Sequence, residues 1–271
     1  KAAVVPFHSW LPAASVAPTP VSALLHAVAV VKGGVFALMR VVYWCFGAGF
    51  LIGTKVQAAV LCVCCITILY GSLRALCTQH LKRRLAYSTV SQLSYILMGV
   101  MLMTPAGLAA GLTHMVCHAL MKITLFFCAG AILYKGGREY VYELRGVGRA
   151  MPVTMTCFTL AGLGLVGVPL FAGFVSKFML GSAAAEAGGL GMLGVACLII
   201  SAFFTLFYMV LIIGAAWFPA EGREDSHWNT HCDPNWNMKL PLIAITAMSM
   251  VLGLWSGPLI QVFNRIAAGG M

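Results

Sequence analysis

Three side chains able to carry a proton recur at four-residue intervals in one of the most apolar stretches of the chain. They are His114, His118 and Lys122, set among Leu112, Met115, Val116, Leu120, Ile123, Leu125 and Phe126. A spacing of i, i+4 and i+8 keeps them on one face of a helix, drifting slowly around its axis. An ammonium at bilayer depth costs at least about 2.5 kcal/mol, so such groups are rare and mark ion or proton pathways. Lys32, in Ala29-Val30-Val31-Lys32-Gly33-Gly34-Val35, and Lys177 lie inside apolar segments as well. His26 stands six positions before Lys32, off its face by spacing alone, though a hydrated cavity could join the two. Taking a lysine out of water disfavours its charged form, which equips it to release and regain a proton near neutral pH. The chemistry these types and spacings suggest is proton exchange along a row inside a membrane.

Other readings of the same residues stay open. A membrane lysine can snorkel toward the interface or hold backbone carbonyls. A lone histidine in an apolar helix is often hydrogen-bonded packing. The His114/His118 pair has a spacing that could ligate a metal or haem, although no second pair at similar spacing occurs elsewhere. All seven acids (Glu139, Glu143, Glu186, Glu221, Glu224, Asp225 and Asp233) fall outside the expected spans or at their ends. No carboxylate inside the helices is therefore expected to neutralise the lysines.

These residues must be positioned by membrane helices. The chain has 271 residues, 61% hydrophobic and 9% charged, with a mean hydropathy of +0.94. A soluble domain carries about 25% charged residues. Long apolar runs rather than ten-residue alternation favour helices over a β-barrel and predict an all-α integral membrane fold of about seven transmembrane helices, one of them discontinuous. The net charge of +10 sits mostly in short loops, which argues against nucleic acid as a partner. The ten cysteines lie mainly inside apolar runs and read as packing residues, with no zinc or disulfide framework. No P-loop, dinucleotide fingerprint or nucleophile elbow is present, so no cofactor, metal or catalytic residue is expected.

Along the chain, a stub and a proline-bracketed turn over residues 1–14 lead to helices at about 20–45, 55–78 and 86–103. A tight basic loop, His80-Leu81-Lys82-Arg83-Arg84, lies between the second and third. A fourth helix, about 107–134, bears the His/His/Lys row. Residues 152–187 would make a rod of about 54 Å, too long for a hydrocarbon core of about 30 Å. Gly167, Pro169 and Gly173 near their centre predict two half-helices with an unwound middle. Lys177 then begins the second half, near the positive end of its dipole. Spans at about 190–217 and 239–262 follow, giving a transmembrane domain over 1–262 and a tail at 263–271. The loops at 79–85, 134–150 and 218–238 hold Lys82, Arg83, Arg84, Lys135, Arg138, Arg145, Arg149 and Arg223, so they are expected to share the cytoplasmic side. Trp44 and Trp217 read as interfacial aromatics.

Several longer motifs then carry a resemblance. They are Pro6-Phe7-His8-Ser9-Trp10-Leu11-Pro12; Ala17-Pro18-Thr19-Pro20-Val21-Ser22-Ala23-Leu24-Leu25-His26-Ala27; Lys82-Arg83-Arg84-Leu85-Ala86-Tyr87-Ser88-Thr89-Val90-Ser91-Gln92-Leu93; the His114/His118/Lys122 helix; and Gly167-Val168-Pro169-Leu170-Phe171-Ala172-Gly173-Phe174-Val175-Ser176-Lys177. With these, nearly the whole chain resembles the antiporter-like, proton-conducting subunits of respiratory complex I, a module shared with multisubunit sodium/proton antiporters and membrane-bound hydrogenases. Lys177 and the Cys232-Asp233-Pro234-Asn235-Trp236 run favour the chain-5 (L) type. The resemblance implies a subunit of about fourteen helices in two inverted repeats, of which this chain, beginning at Lys1 rather than Met, is the second half. It also implies roles: Lys1 as the lysine of the first broken helix, His26 as the link between half-channels, Lys122 as the central lysine and Lys177 as the terminal one. The glutamate partner of that family falls upstream of Lys1.

The implied function is movement of protons along Lys1, His26, Lys32, His114, His118, Lys122 and Lys177 with waters, coupled to electron transfer in other membrane subunits and without a redox centre of its own. Sodium/proton exchange and a structural scaffold are the alternatives. The implied location is a multi-pass position in the energy-transducing inner (plasma) membrane, with the bilayer and protons, or sodium, as further partners.

Overall fold

Capping residues and glycines set several of the helix ends. The structure, a computed structural model, describes residues 1–218 and 232–269. Glu221, Arg223, Glu224, Asp225 and tail residues 270–271 lie outside the described residues. After a short proline-bounded turn, helix α1 runs over Thr19–Ala27, α2 over Val30–Arg40, α3 over Lys55–Cys77 and α4 over Leu81–Met101. Then come α5 over Pro105–Gly136, α6 over Pro152–Val166, α7 over Ala172–Ala187, α8 over Leu190–Trp217, α9 over Trp236–Leu254 and α10 over Gly257–Gly269. Thr54 and Thr104 cap α3 and α5, each hydroxyl accepting from a backbone N–H three residues on. Gly137, at φ +63°, ends α5 in the left-handed region that favours glycine.

Among the described residues five segments are long and apolar enough to cross a membrane: Thr19–Phe46, Lys55–Cys77, Pro105–Gly136, Leu190–Trp217 and Trp236–Leu254. The chain is thus an all-α membrane protein. Helix α4 and the interrupted pair α6/α7 complete the bundle. Hydropathy alone misses α4, because Lys82, Arg83, Arg84, Ser88, Thr89, Ser91, Gln92 and Ser94 dilute its apolar residues. Helix α5 is the centre, packed against α1, α4, α6, α7, α9 and α10. All ten cysteines are free.

The fold differs from the sequence expectation in five places. The first span is interrupted at Val28 and Ala29, where the Ala29 amide reaches back five residues to the Leu24 carbonyl at 2.9 Å. The basic triad is not a loop but the first turn of α4. Arg84 there is 2% exposed and donates to the Thr78 carbonyl at 2.7 Å and the Leu76 carbonyl at 3.3 Å. It therefore caps the end of α3. The last span ends at Leu254, since Pro258 forces a new start, and residues 263–269 of the expected tail belong to α10. Trp217 packs on Gly148 and donates to Thr159 at 3.0 Å, so it is an internal contact. Lys177 lies more than a turn inside α7 rather than at its start.

The three basic loops do meet at one end. His80 and Tyr140 form a β-bridge, with Leu81 N–H to the Glu139 carbonyl at 2.8 Å, Gly146 N–H to the Ala215 carbonyl at 3.2 Å and Cys232 N–H to the Ala150 carbonyl at 2.9 Å. Asp233 closes this junction by accepting from Val153 N–H, Thr154 N–H and the Thr154 hydroxyl at 3.1, 3.2 and 2.9 Å, which caps the start of α6. Asp233→Ala is expected to lower stability by about 1–2 kcal/mol, read as a lower melting temperature by circular dichroism in detergent.

His80 Nε2 lies 3.2 Å from Glu139. Burial pushes the imidazole below its ordinary value, helped by Arg83 and Lys82 and opposed by Glu139. The contact is thus a hydrogen bond from a neutral ring at pH 7. A depressed folded value means that its contribution is present above the ordinary histidine pKa of about 6.5 and is lost as pH falls below it. Melting temperature is expected to drop on acidification through this range, and less steeply in His80→Asn.

Candidate functional site

Helix α5 carries His114, His118 and Lys122 into the middle of the bundle, where all three are fully buried. The neighbouring helices supply what each needs. Lys122 Nζ donates to the Leu85 carbonyl of α4 at 2.9 Å and to the Ser88 hydroxyl. Lys32 Nζ donates to the His26 carbonyl at 3.2 Å and lies 2.8 Å from His118 Nδ1. The interruption at Val28–Ala29 makes this possible: it leaves the His26 carbonyl for the ammonium and turns residue 32 toward residue 26, which an unbroken helix would not. The His26 ring stacks on Phe126 with centroids 4.9 Å apart and lies within electrostatic reach of both Lys122 and Lys32.

At the other end of the row the rings of His114 and His118 stack at 6.0 Å. His114 Nε2 lies 3.0 Å from Gln92 Oε1 and its Nδ1 2.9 Å from Ser176 Oγ. The Tyr95 ring lies 5.6 Å from His114, and the Lys177 ammonium stands over that ring at 5.7 Å. Lys177 Nζ donates to the Leu165 and Val166 carbonyls at 2.7 and 2.9 Å. The ammonium therefore sits at the negative C-terminal end of α6. The sequence expectation, which set it near the positive end of α7, thus gave the charge to the wrong terminus.

The helix break has a local cause. Gly167, at φ +97°, terminates α6, with the amides of Gly167 and Val168 both bonding the Leu163 carbonyl. Pro169 occupies the connection, and Gly173 crosses so close to Gly164 that a Cβ there would strike the Gly164 carbonyl. Lys1 packs its backbone against α2, where a Cβ on Gly34 would come within 2.6 Å of its own Cβ, while its side chain is exposed.

Ser88, Gln92, Tyr95 and Ser176 complete the site and were not singled out from sequence as parts of it. Their signal was present: Ser88, Gln92 and Tyr95 stand at i, i+4 and i+7, on one face of α4. A hydroxyl cluster of Ser72, Ser91 and Ser201 backs Tyr95, which donates to Ser201 at 2.6 Å. Four buried polar atoms along the row have no hydrogen-bond partner among the described residues: Nδ1 and Nε2 of His26, Nε2 of His118 and Nε2 of Gln92. Each such atom costs about 1–3 kcal/mol, so hydrogen-bonding demand is concentrated along this line. The arrangement can pass protons between closely set groups and offers no nucleophile.

A sequence profile described as "NADH:quinone oxidoreductase/Mrp antiporter, TM" matches residues 1–211. The chain is 35% identical over 259 residues to NADH-quinone oxidoreductase subunit L of Mycobacterium tuberculosis, covering 93% of this chain and 39% of that protein. It is 35% identical over 260 residues to a probable K(+)/H(+) antiporter subunit of Rhizobium meliloti, covering 94% and 25%. Among solved structures, a chain of the Mrp complex from Dietzia sp. DQ12-45-1b superposes with a TM-score of 0.88 at 26% identity, over 99% of this chain and 57% of that one. The chain thus spans about two fifths of the length of the first of these relatives.

Proposed function

Because the chain belongs to the transmembrane family of NADH:quinone oxidoreductases and Mrp antiporters, we propose that it is a proton-translocating part of a respiratory membrane complex, of the L (chain 5) type. One observation carries this reading: Lys32 joins the His26 carbonyl and the His118 ring at 3.2 and 2.8 Å, His118 stacks on His114, and Lys122 and Lys177 are buried at either side of this chain, Lys177 across the Tyr95 ring from His114, with no carboxylate among them in the described residues. The order differs from that of the sequence reading. Protons enter from the side of the basic loops to Lys122, pass by His26 and Lys32 to His118, then to His114, and leave through Lys177. Lys1, its backbone set against Gly34, is a further lysine of the path. Water bridges the unpartnered nitrogens of His26, His118 and Gln92. Repulsion between neighbouring ammonium groups drives the transfers. Electron transfer takes place in partner subunits, and the complex sits in the inner (plasma) membrane.

Lys122→Ala in the intact membrane complex is expected to cut respiration-driven proton translocation about a hundredfold, the scale of losing a positioned acid–base group. Assembly on native gels should be retained. A mutant with wild-type acidification of inverted vesicles would sink the relay. The equal similarity to a K(+)/H(+) antiporter component favours cation/proton exchange as the second reading. It predicts that a sodium or potassium pulse collapses a preformed pH gradient in such vesicles without respiration, and that Lys122→Ala removes the response.

A further inference from the structure

Ser176 is buried at 0% exposure between two claims on one hydrogen. Its Oγ lies 2.9 Å from His114 Nδ1 and also 3.2 Å from the Gly173 carbonyl and 3.3 Å from the Ala172 carbonyl. A hydroxyl has a single hydrogen and two acceptor sites. His114 Nε2 faces Gln92 Oε1; in this amide orientation the oxygen can only accept, so Nε2 carries a hydrogen in both charge states. A neutral His114 then has a bare Nδ1, and Ser176 must donate to it. A protonated His114 has a hydrogen on Nδ1, and Ser176 must accept it. The Ser176 hydrogen then turns to the carbonyl of Gly173 or Ala172.

We propose that Ser176 is a positioning residue that reports the charge state of His114 to the broken helix by reversing its hydrogen bond. This rests on the relay reading above. The hydroxyl's second partner, Gly173, is where α7 crosses the Gly164 carbonyl. The next two carbonyls of α6, those of Leu165 and Val166, hold Lys177. Lys177 is also the residue after Ser176. A change of hydrogen-bond direction at Ser176 is therefore one backbone crossing away from the acceptors of the exit lysine. The groups facing His114 are Lys32, Lys177, His118 and Tyr95, and Cys117 faces Ser176. None of these replaces the hydroxyl as a partner that both donates to and accepts from Nδ1.

The test compares Ser176→Ala, Ser176→Thr and Ser176→Cys in the intact complex, with respiration-driven acidification of inverted vesicles measured across pH. Ser176→Ala should lower translocation about tenfold, the effect of one hydrogen bond to a charged group. Its pH optimum should move toward acid by about one unit. Ser176→Thr keeps the hydroxyl and should restore both, while Ser176→Cys should not. Wild-type translocation in Ser176→Ala, or equal loss in the Ala and Thr variants, overturns the proposal. If Ser176→Ala fails to assemble, the Thr/Cys pair decides: active Thr with impaired Cys supports it, and equal behaviour overturns it. Full translocation in Lys122→Ala overturns the relay itself, whereas its loss there with a normal Ser176→Ala overturns only the role of Ser176.

Discussion

A buried ammonium needs up to three acceptors, and inside this bundle no carboxylate among the described residues offers them. Backbone carbonyls must. The fold answers in two ways. It interrupts helices, which releases the carbonyl of His26 at one break and those of Leu165 and Val166 at another for Lys32 and Lys177. It also lays Lys122 against the first turns of α4, where the Leu85 carbonyl already accepts from the side chains of Ser88 and Thr89. Neutral dipoles hold a cation less firmly than a carboxylate would. Lysines held this way are anchored by neutral acceptors, the carbonyl-binding arrangement that the sequence left open.

The same constraint explains the packing. Helix α5 can present three ionisable groups only because six helices enclose it and each group meets a polar partner at its own level. The partners come from α4 for Lys122 and His114, from α2 for His118 and from α7 for His114. Glycines allow the close crossings this needs, as where Gly173 passes the Gly164 carbonyl. A bundle of smooth apolar helices would bury the charges without partners.

Much of this was legible in the amino-acid order. The periodicity of His114, His118 and Lys122 placed them on one face, and the Gly/Pro-rich centre of 152–187 marked the break, because both signals are local. What the sequence hid was relational. Nothing in Val28-Ala29 announces an interruption, since neither residue is a strong helix breaker, yet that kink decides that Lys32 meets His118. The acceptors of Lys177 lie across a turn on another helix, so reasoning along α7 alone assigned it to the wrong dipole. Arg84 looked like a surface cation within a basic triad, and only the packing of α3 against α4 shows it buried. Gln92 and Ser176 sat inside recognised motifs but drew no notice, because uncharged side chains become informative only once their partners are known.

The half-helix α6 is gripped by side chains of opposite sign. Asp233 binds its amide end at the loop junction, and Lys177 binds its carbonyl end deep in the bundle. Fifteen residues at 1.5 Å each separate the two grips by about 22 Å. The segment is thus a polarised rod stretched between two electrodes, one at the water surface and one in the interior. Both ends of its dipole are met by side chains of the matching sign, which fixes the half-helix in place at each terminus.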